Sequence, residues 1–165
     1  MKKLFLIRHA KSSWDFSELS DFERPLHKRG RRDAPFMAKL LSQQGVSPDL
    51  IISSPANRVV TTARYFCEPL NYNFHNLYLE PGIYEASGEE ILDVIRNTGN
   101  SFNSIMLFSH NPGLTDLANM LSSKSINNIP TCGIVSLSFN IDDWNQISSQ
   151  NSEIIFFEYP KKYFK

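Results

Sequence analysis

The most constraining feature of the sequence is a short apolar segment near its start that ends in an arginine and a histidine. Leu4 to Ile7 are four consecutive apolar residues, and Arg8 and His9 follow them directly. An apolar run of this length, bounded by polar residues, predicts a buried central strand of an α/β sheet. Since ligands of such sheets bind beyond the carboxyl ends of the strands, Arg8 and His9 are expected to face a small anionic group.

Two later segments repeat this pattern of an apolar strand followed by a chemically useful side chain. Residues 49–53 predict a second strand, and Ser54-Pro55 after it predicts a helix N-terminus with Ser54 as the cap. Arg58 then lies in the first turn of this helix, where a cation is mildly unfavourable for helix stability because of the helix dipole. A cation at such a position suggests that it serves to bind an anion. Residues 104–109 predict another strand, and His110 follows it before a further helix.

The remaining patterns alternate helices with strands. A helix is expected from about Lys28 to Gln44, with Gly45 as its C-cap, and Pro35 is expected to kink this helix or to delay its start. The segment from Ser87 to Glu90 has the pattern of a capping box at the start of another helix. Further strands are expected at 74–78, 133–139 and 153–159.

Composition argues against several classes of protein. Lysine plus arginine and aspartate plus glutamate are balanced at 17 each, whereas nucleic-acid-binding proteins usually carry a basic excess. The two cysteines, Cys67 and Cys132, are too few for a disulfide framework. No apolar run approaches the roughly 18 residues of a membrane span, and Leu4–Ile7 is too short for a signal peptide. We therefore expect a cytoplasmic protein that binds neither nucleic acid nor membrane.

The strand-end motifs resemble those of the histidine phosphatase superfamily, also called the phosphoglycerate mutase-like fold. Arg8-His9 followed by a small residue resembles the nucleophile motif of that family, and Ser-Ser-Pro-x-x-Arg, ending at Arg58, resembles the motif of its second phosphate-binding arginine. Ser-His-Asn-Pro-Gly around His110 is similar to the motif of its second histidine. The resemblance implies a single three-layer α/β/α domain over residues 1–165, with a mostly parallel central sheet.

The resemblance also implies roles for these four residues, and their chemistry agrees with those roles. His9 would accept the phosphoryl group, and Arg8, Arg58 and His110 would bind it. Guanidinium groups match phosphate oxygens, and neighbouring arginines should lower the pKa of His9 and favour its neutral, nucleophilic form. Taken alone, His9 could equally be a strand-end histidine that caps a turn. No cofactor is expected, and a metal is unlikely to be bound because neither strand-end motif contains a carboxylate.

Two further residues are weaker candidates for the substrate side of the site. Asp-x-x-Arg-Pro-Leu, from Asp21 to Leu26, resembles the second motif of small bacterial phosphohistidine phosphatases and makes Arg24 a candidate, although Arg24 could simply form a salt bridge to Asp21. Glu85 lies near the place where mutases and many sugar-phosphate phosphatases carry a glutamate general acid, or it is a loop carboxylate. A missing acid matters less when an imidazole nitrogen is the leaving group.

Together these features favour the SixA-like phosphohistidine phosphatase branch. The chain has no obvious insertion to form a lid over a small substrate, and an open site suits a phosphate carried by another protein. The predicted function is a metal-independent hydrolase, by default a monomer, that acts on a phosphohistidine domain of a protein. The alternatives are a small-molecule phosphomonoester phosphatase of the same superfamily and a catalytically weak phosphohistidine-binding module.

Overall fold

A six-stranded sheet forms the centre of the computed structural model, which describes residues 1–164. The strands are β1 (Lys2–Arg8), β2 (Leu50–Ser53), β3 (Tyr78–Leu79), β4 (Ser104–Ser109), β5 (Ile134–Phe139) and β6 (Ser152–Glu158). Their order across the sheet is β3-β2-β4-β1-β5-β6. The first four strands in that order are parallel, whereas β5 is antiparallel to both of its neighbours. The predicted mostly parallel sheet is therefore confirmed.

Four helices cover the two faces of this sheet. They are α1 (Lys28–Gln43), α2 (Asn57–Cys67), α3 (Gly88–Arg96) and α4 (Gly113–Met120). Successive side chains of a strand point to opposite faces, so Leu4 and Leu6 of β1 join the core beneath α3 and α4. Phe5 and Ile7 join the core beneath α1 and α2. Helices therefore lie on both faces of the sheet, and the predicted three-layer α/β/α arrangement is confirmed.

The start of α2 differs from the prediction. Ser54 was the expected cap, but the N-cap residue is Ala56 and the helix begins at Asn57. The hydroxyl of Ser54 lies 2.8 Å from Nε2 of His110 and 3.3 Å from the backbone nitrogen of Ala56. Ser54 is therefore part of the strand-end loop and bonds to a residue beyond the neighbouring strand. Arg58 remains in the first turn of α2, as predicted.

Helix α1 begins earlier than Pro35 would suggest, and it continues past that residue. His27 caps its start, because Nδ1 of His27 accepts a hydrogen bond from the backbone N–H of Arg29 at 3.0 Å. At the other end Gly45 follows the C-cap residue with a φ of +76°, and its N–H donates to the carbonyl of Ser42. The predicted bounds of this helix are therefore confirmed, and of the two effects expected of Pro35 the later start is wrong, because the capping interaction at His27 precedes the proline by two turns.

The expected strand at 74–78 is also wrong. Residues Phe74–Asn76 form a short 3₁₀ helix, and only Tyr78–Leu79 pair with β2. The side chain of Asn73 accepts a hydrogen bond from the N–H of His75, which stabilises a turn where the apolar pattern favoured a strand. The capping box of Ser87 and Glu90 is confirmed at the start of α3. No helix within residues 1–164 is long and apolar enough to cross a membrane.

The sheet order brings together the strand ends that the sequence singled out. β4 lies between β1 and β2, and all three strands run in the same direction. Arg8 is paired with Ser109 in the register, and Ser53 is paired with Phe108. The segments that leave these three strands therefore begin at one edge of the sheet, where parallel α/β sheets bind their ligands.

Candidate active site

A pocket of about 230 Å³ lies at this edge and contains all six residues predicted from the sequence. Its lining residues are Arg8, His9, Lys11, Ser12, Trp14, Arg24, Arg58, Glu85, His110, Asn111 and Thr131. Most of the polar groups come from the loops after β1, β2 and β4. Among residues 1–164, no group of three or more His, Cys, Asp or Glu side chains is arranged to hold a metal ion.

The tautomer of His9 is fixed by its own backbone. Nδ1 of His9 lies 2.8 Å from the carbonyl oxygen of Ala10, and because a carbonyl only accepts, Nδ1 carries the proton. The backbone N–H of Ala10 in turn donates to the hydroxyl of Thr62, which donates to the carbonyl of Arg58. This chain of bonds ties the loop after β1 to the first turns of α2. It leaves Nε2 of His9 as the unprotonated, nucleophilic nitrogen.

The neutral form of His9 is strongly favoured. Burial lowers its pKa from 6.5 to about 3, helped by the positive charges of Arg58 and Arg8, while the bond to the Ala10 carbonyl opposes the shift. The sequence predicted the direction of this shift and attributed it to the arginines. The larger cause is desolvation, since only 7% of the His9 surface is exposed.

His110 lies edge-to-face with His9, with ring centroids 5.5 Å apart, and both of its nitrogens are occupied. Nη2 of Arg58 lies 3.2 Å from Nδ1 of His110, and because a guanidinium only donates, Nδ1 must accept. Nε2 therefore carries the proton and donates to the hydroxyl of Ser54. Burial, and then the charge of Arg58, lowers the pKa of His110 to about 4. His110 is thus neutral in this state, and a hydrogen bond from it to a phosphate stays a prediction.

Arg58 is held by a carboxylate that was not predicted as a site residue. Its Nη1 donates to the backbone carbonyl of Asp21 at 2.7 Å, and its Nη2 lies 3.1 Å from Oδ2 of the same residue. Asp21 also accepts from Arg24 at 2.9 Å and from the hydroxyl of Tyr84 at 2.7 Å. Burial alone would raise the pKa of Asp21, but these donors and the charge of Arg58 lower it to about 2. The carboxylate therefore stays ionised and orients both arginines.

Arg8 differs from Arg58 because it has no acidic partner within residues 1–164. Its Nη1 donates to the carbonyl of Ile129 at 3.1 Å, and its buried Nε has no hydrogen-bond partner in the described part of the chain. Burial lowers the pKa of this guanidinium, although an arginine remains charged at neutral pH. Arg8 is half-buried, and a partly desolvated cation without a carboxylate is stabilised when an anion binds beside it. Arg8 is therefore suited to receive an anionic ligand.

The two weaker candidates both reach the pocket. Arg24 lines the pocket and also forms the predicted salt bridge to Asp21. A position at the site and a salt bridge to Asp21 are therefore compatible for this residue. Nη2 of Arg24 donates to the hydroxyl of Ser12, and its guanidinium lies 3.3 Å from the ring centre of Trp14. Glu85 is exposed at the pocket and has a φ of +56°, which is strained for a residue other than glycine. The structure thus brings Glu85 to the residues that were predicted to bind phosphate.

The loop that carries Arg24 is closed at its base. Ser12 and Leu26 form an isolated antiparallel bridge, and the N–H of Ser13 donates to the carbonyl of Pro25. Below this bridge the N–H of His27 donates to the carbonyl of Lys11. Residues 13–25 therefore leave and re-enter the fold at one point, beside the pocket.

Four contributors to the site were not predicted as such: Asp21, Ser54, Thr62 and Tyr84. Thr62 lies one helical turn after Arg58, so its position on the same face of α2 was available from the sequence. Asp21 was recognised only as a partner of Arg24. Tyr84 is 63 residues from Asp21 along the chain, and no local pattern links the two.

Comparison with known proteins gives consistent results. The model of the histidine phosphatase superfamily (branch 1) matches residues 4–91. An uncharacterized chloroplastic protein of Arabidopsis thaliana is 33% identical over 153 residues, which are 88% of this chain and 70% of that protein. A crystal structure from Agrobacterium tumefaciens, named for the phosphohistidine phosphatase SixA, has a TM-score of 0.80 with 26% identity and covers 96% of this chain and 98% of that one. The structure of a protein histidine phosphatase SixA with tungstate has a TM-score of 0.82 at 22% identity, over 97% of this chain and 98% of that one.

Proposed function

The chain belongs to the histidine phosphatase superfamily, and we propose that it removes a phosphoryl group from phosphohistidine on a protein, through a covalent intermediate on His9. The observation that carries the proposal is the state of His9. Nδ1 of His9 donates its proton to the carbonyl of Ala10, which leaves Nε2 unprotonated. His9 lines a pocket together with Arg8 and Arg58.

In the first step Nε2 of His9 attacks the phosphorus atom. A phosphorus–nitrogen bond forms to His9 as the phosphorus–nitrogen bond of the substrate breaks. When the leaving imidazole carries a proton on its other nitrogen, it departs as a neutral ring, so the enzyme need not supply an acid. Arg8 and Arg58 stabilise the charge on the equatorial oxygens, which is the main requirement of phosphoryl transfer.

In the second step water attacks the phosphorus atom and the bond to His9 breaks. Inorganic phosphate leaves and keeps the proton released by the water, and His9, which retains its proton on Nδ1, is restored as the neutral nucleophile. Two such steps with one covalent intermediate are the general pattern of nucleophilic catalysis. Since Nδ1 of His9 keeps its bond to Ala10 throughout, the ring does not have to reorient between the steps.

The rim of the pocket supports a protein as the substrate. Trp14 lines the pocket with 73% of its surface exposed, and Phe16 and Phe22 nearby in the chain are 46% and 41% exposed. An exposed aromatic side chain at a polar pocket, with further exposed aromatic side chains on the same loop, is typical of surfaces that contact other proteins. The SixA structures that resemble this chain are named for phosphohistidine and protein histidine phosphatases, which agrees with this choice.

One observation favours a second candidate, a small-molecule phosphomonoester phosphatase. Glu85 lies in the pocket lining in a strained backbone conformation, and strain of this kind often marks a functional position. An alkoxide is a poor leaving group, so hydrolysis of an ester requires a proton donor at the position Glu85 could occupy.

The test compares two substrates without added metal and in the presence of a chelator. One is a protein domain that carries phosphohistidine, and the other is an alkyl phosphomonoester, whose alkoxide leaving group requires a proton donor. We expect wild type to prefer the phosphohistidine domain, His9→Ala to lose turnover of both, and Glu85→Gln to retain turnover of the domain. Retention is expected because the imidazole leaving group does not need the acid.

Other outcomes would change the conclusion. Better turnover of the ester, lost in Glu85→Gln, would establish the phosphomonoesterase instead. Binding of the domain without turnover would indicate a binding module. Activity that survives His9→Ala would exclude the covalent mechanism.

A further inference from the structure

A second cavity, of about 330 Å³, adjoins the catalytic pocket and is strongly basic. Its charged lining residues, which we call the basic groove, are Arg8, Lys11, Arg29, Arg32, Lys161 and Asp33. Arg8, Lys11 and Thr131 line both cavities, so the groove opens directly beside the phosphate-binding residues. The groove is therefore next to the position of a phosphoryl group held at His9.

The positive charge of the groove is largely uncompensated. Among the described residues that line it, Asp33 is the only acid. Asp33 accepts two hydrogen bonds from Arg32, at 3.0 and 2.8 Å, and lies 3.8 Å from Nε of Arg29. Within residues 1–164 neither Lys11 nor Lys161 forms an ion pair. Five cations thus face one carboxylate, which is itself buried beneath two of them.

Only one of the arginines that pair with Asp33 in the groove is explained by the stability of the fold. Arg32 has a structural role, because its guanidinium lies 4.0 Å from the ring centre of Phe164 and pairs closely with Asp33. Arg29 is different: its side chain is 42% exposed, and its contacts to Asp33 and Thr131 are long, at 3.8 and 3.4 Å. Lys161 is exposed on the 3₁₀ segment Pro160–Lys162. Like charges gathered without such a role repel one another, and a bound anion would relieve that repulsion.

The shape of the groove favours an extended acidic ligand over a single phosphate. Its cations come from three segments: the loop after β1, the first turns of α1 and the segment Pro160–Lys162. The groove is larger than the catalytic pocket, which itself has room for a phosphoryl group, so it can take more than one carboxylate side chain. We propose that the basic groove binds acidic residues that flank the phosphohistidine of the protein substrate. This inference rests on the proposed function. It adds that the enzyme prefers protein substrates with acidic residues next to the phosphohistidine.

The experiment uses two phosphohistidine peptides that differ only in whether the flanking residues are glutamate or glutamine. The groove variant is Arg29→Gln with Lys161→Gln. The control variant is Lys3→Gln with Lys39→Gln, which removes the same charge from exposed positions outside the groove. Wild type and the control should show a kcat/KM about fivefold higher for the acidic peptide, mainly through KM, since each exposed ion pair contributes modestly. The groove variant should lose most of this preference and keep its rate on the neutral peptide.

Each other result would overturn the inference in a recognisable way. Equal turnover of both peptides by wild type, or a preference for the acidic peptide that persists in the groove variant, would show that the groove does not bind the flanking residues. Neither result would contradict the proposed function. If the groove variant affected only a small substrate with two phosphates, the groove would be a second phosphate site and not a peptide site. If wild type hydrolysed the phosphohistidine domain but neither peptide, recognition of flanking residues in the groove would be overturned alone, and if it hydrolysed neither the domain nor the peptides, the proposed function would be overturned as well.

Discussion

Acidification should destabilise this protein through His9 before most carboxylates begin to titrate. The pKa of His9 is about 3 in the folded protein, against an ordinary value of 6.5 that the unfolded chain regains. Between these two pH values His9 is protonated in the unfolded state but not in the folded state. The free energy of unfolding therefore decreases as the pH falls below about 6.5, and it goes on decreasing until the pH reaches about 3. For one such histidine, the loss between pH 7 and pH 5 is about 2 kcal/mol.

The measurement is urea-induced unfolding of wild type and His9→Asn at the two pH values. Asparagine does not titrate, and its side-chain amide can still donate to the carbonyl of Ala10. The free energy of unfolding of wild type should therefore fall by about 2 kcal/mol more than that of the variant. His75→Asn, which changes an exposed histidine away from the site, should keep the dependence of wild type. Equal losses in wild type and His9→Asn would refute the burial argument.

Two further predictions concern the residues around His9. Arg58→Ala should lower kcat by about 100-fold or more, by analogy with the roughly 3 kcal/mol of transition-state stabilisation lost when one oxyanion donor is removed. A near-normal rate on a phosphohistidine substrate would show that Arg58 does not bind the phosphoryl group. Gly30→Ala should lower the free energy of unfolding by about 1–3 kcal/mol, because a Cβ there would overlap the backbone carbonyl of Lys11. Gly99→Ala, whose Cβ would meet nothing closer than 3.9 Å, is the matched control in thermal unfolding, and equal Tm values for the two variants would contradict the overlap.

The parts of the fold that could be predicted are those governed by local pattern. The apolar segments of β1 and β4 are buried on both faces, so their position follows from hydrophobicity alone. The residues placed after them, Arg8, His9 and His110, follow from strand position. The prediction of a strand at 74–78 was wrong because the apolar ring of Phe74 does not pack in the sheet. This ring lies 4.4 Å from the guanidinium of Arg64.

The parts of the site that could not be predicted depend on contacts between distant segments. The hydroxyl of Ser54 was assigned to a helix cap, but it bonds to His110, 56 residues later, once β2 and β4 are side by side. Asp21 meets Arg58 and Tyr84 only because the loop after β1 folds over the end of β2. Such contacts leave no periodic trace in a single sequence, so the role of Asp21 as an anchor for two arginines required the structure.

The loop at 13–25 has a closed base, and its residue Asp21 joins it to Arg58 and Tyr84. Because the chain enters and leaves this loop at the Ser12–Leu26 bridge, changes in its length need not disturb the sheet or the helices. Loop closure becomes only about 0.6 kcal/mol less favourable each time such a loop doubles in length. The loop carries Trp14 and Arg24 at the pocket, whereas His9 and His110 belong to the strand ends. Exchange of this loop among relatives would therefore replace Trp14 and Arg24 at the pocket, but the new loop would have to keep a carboxylate at the position of Asp21 to hold Arg58.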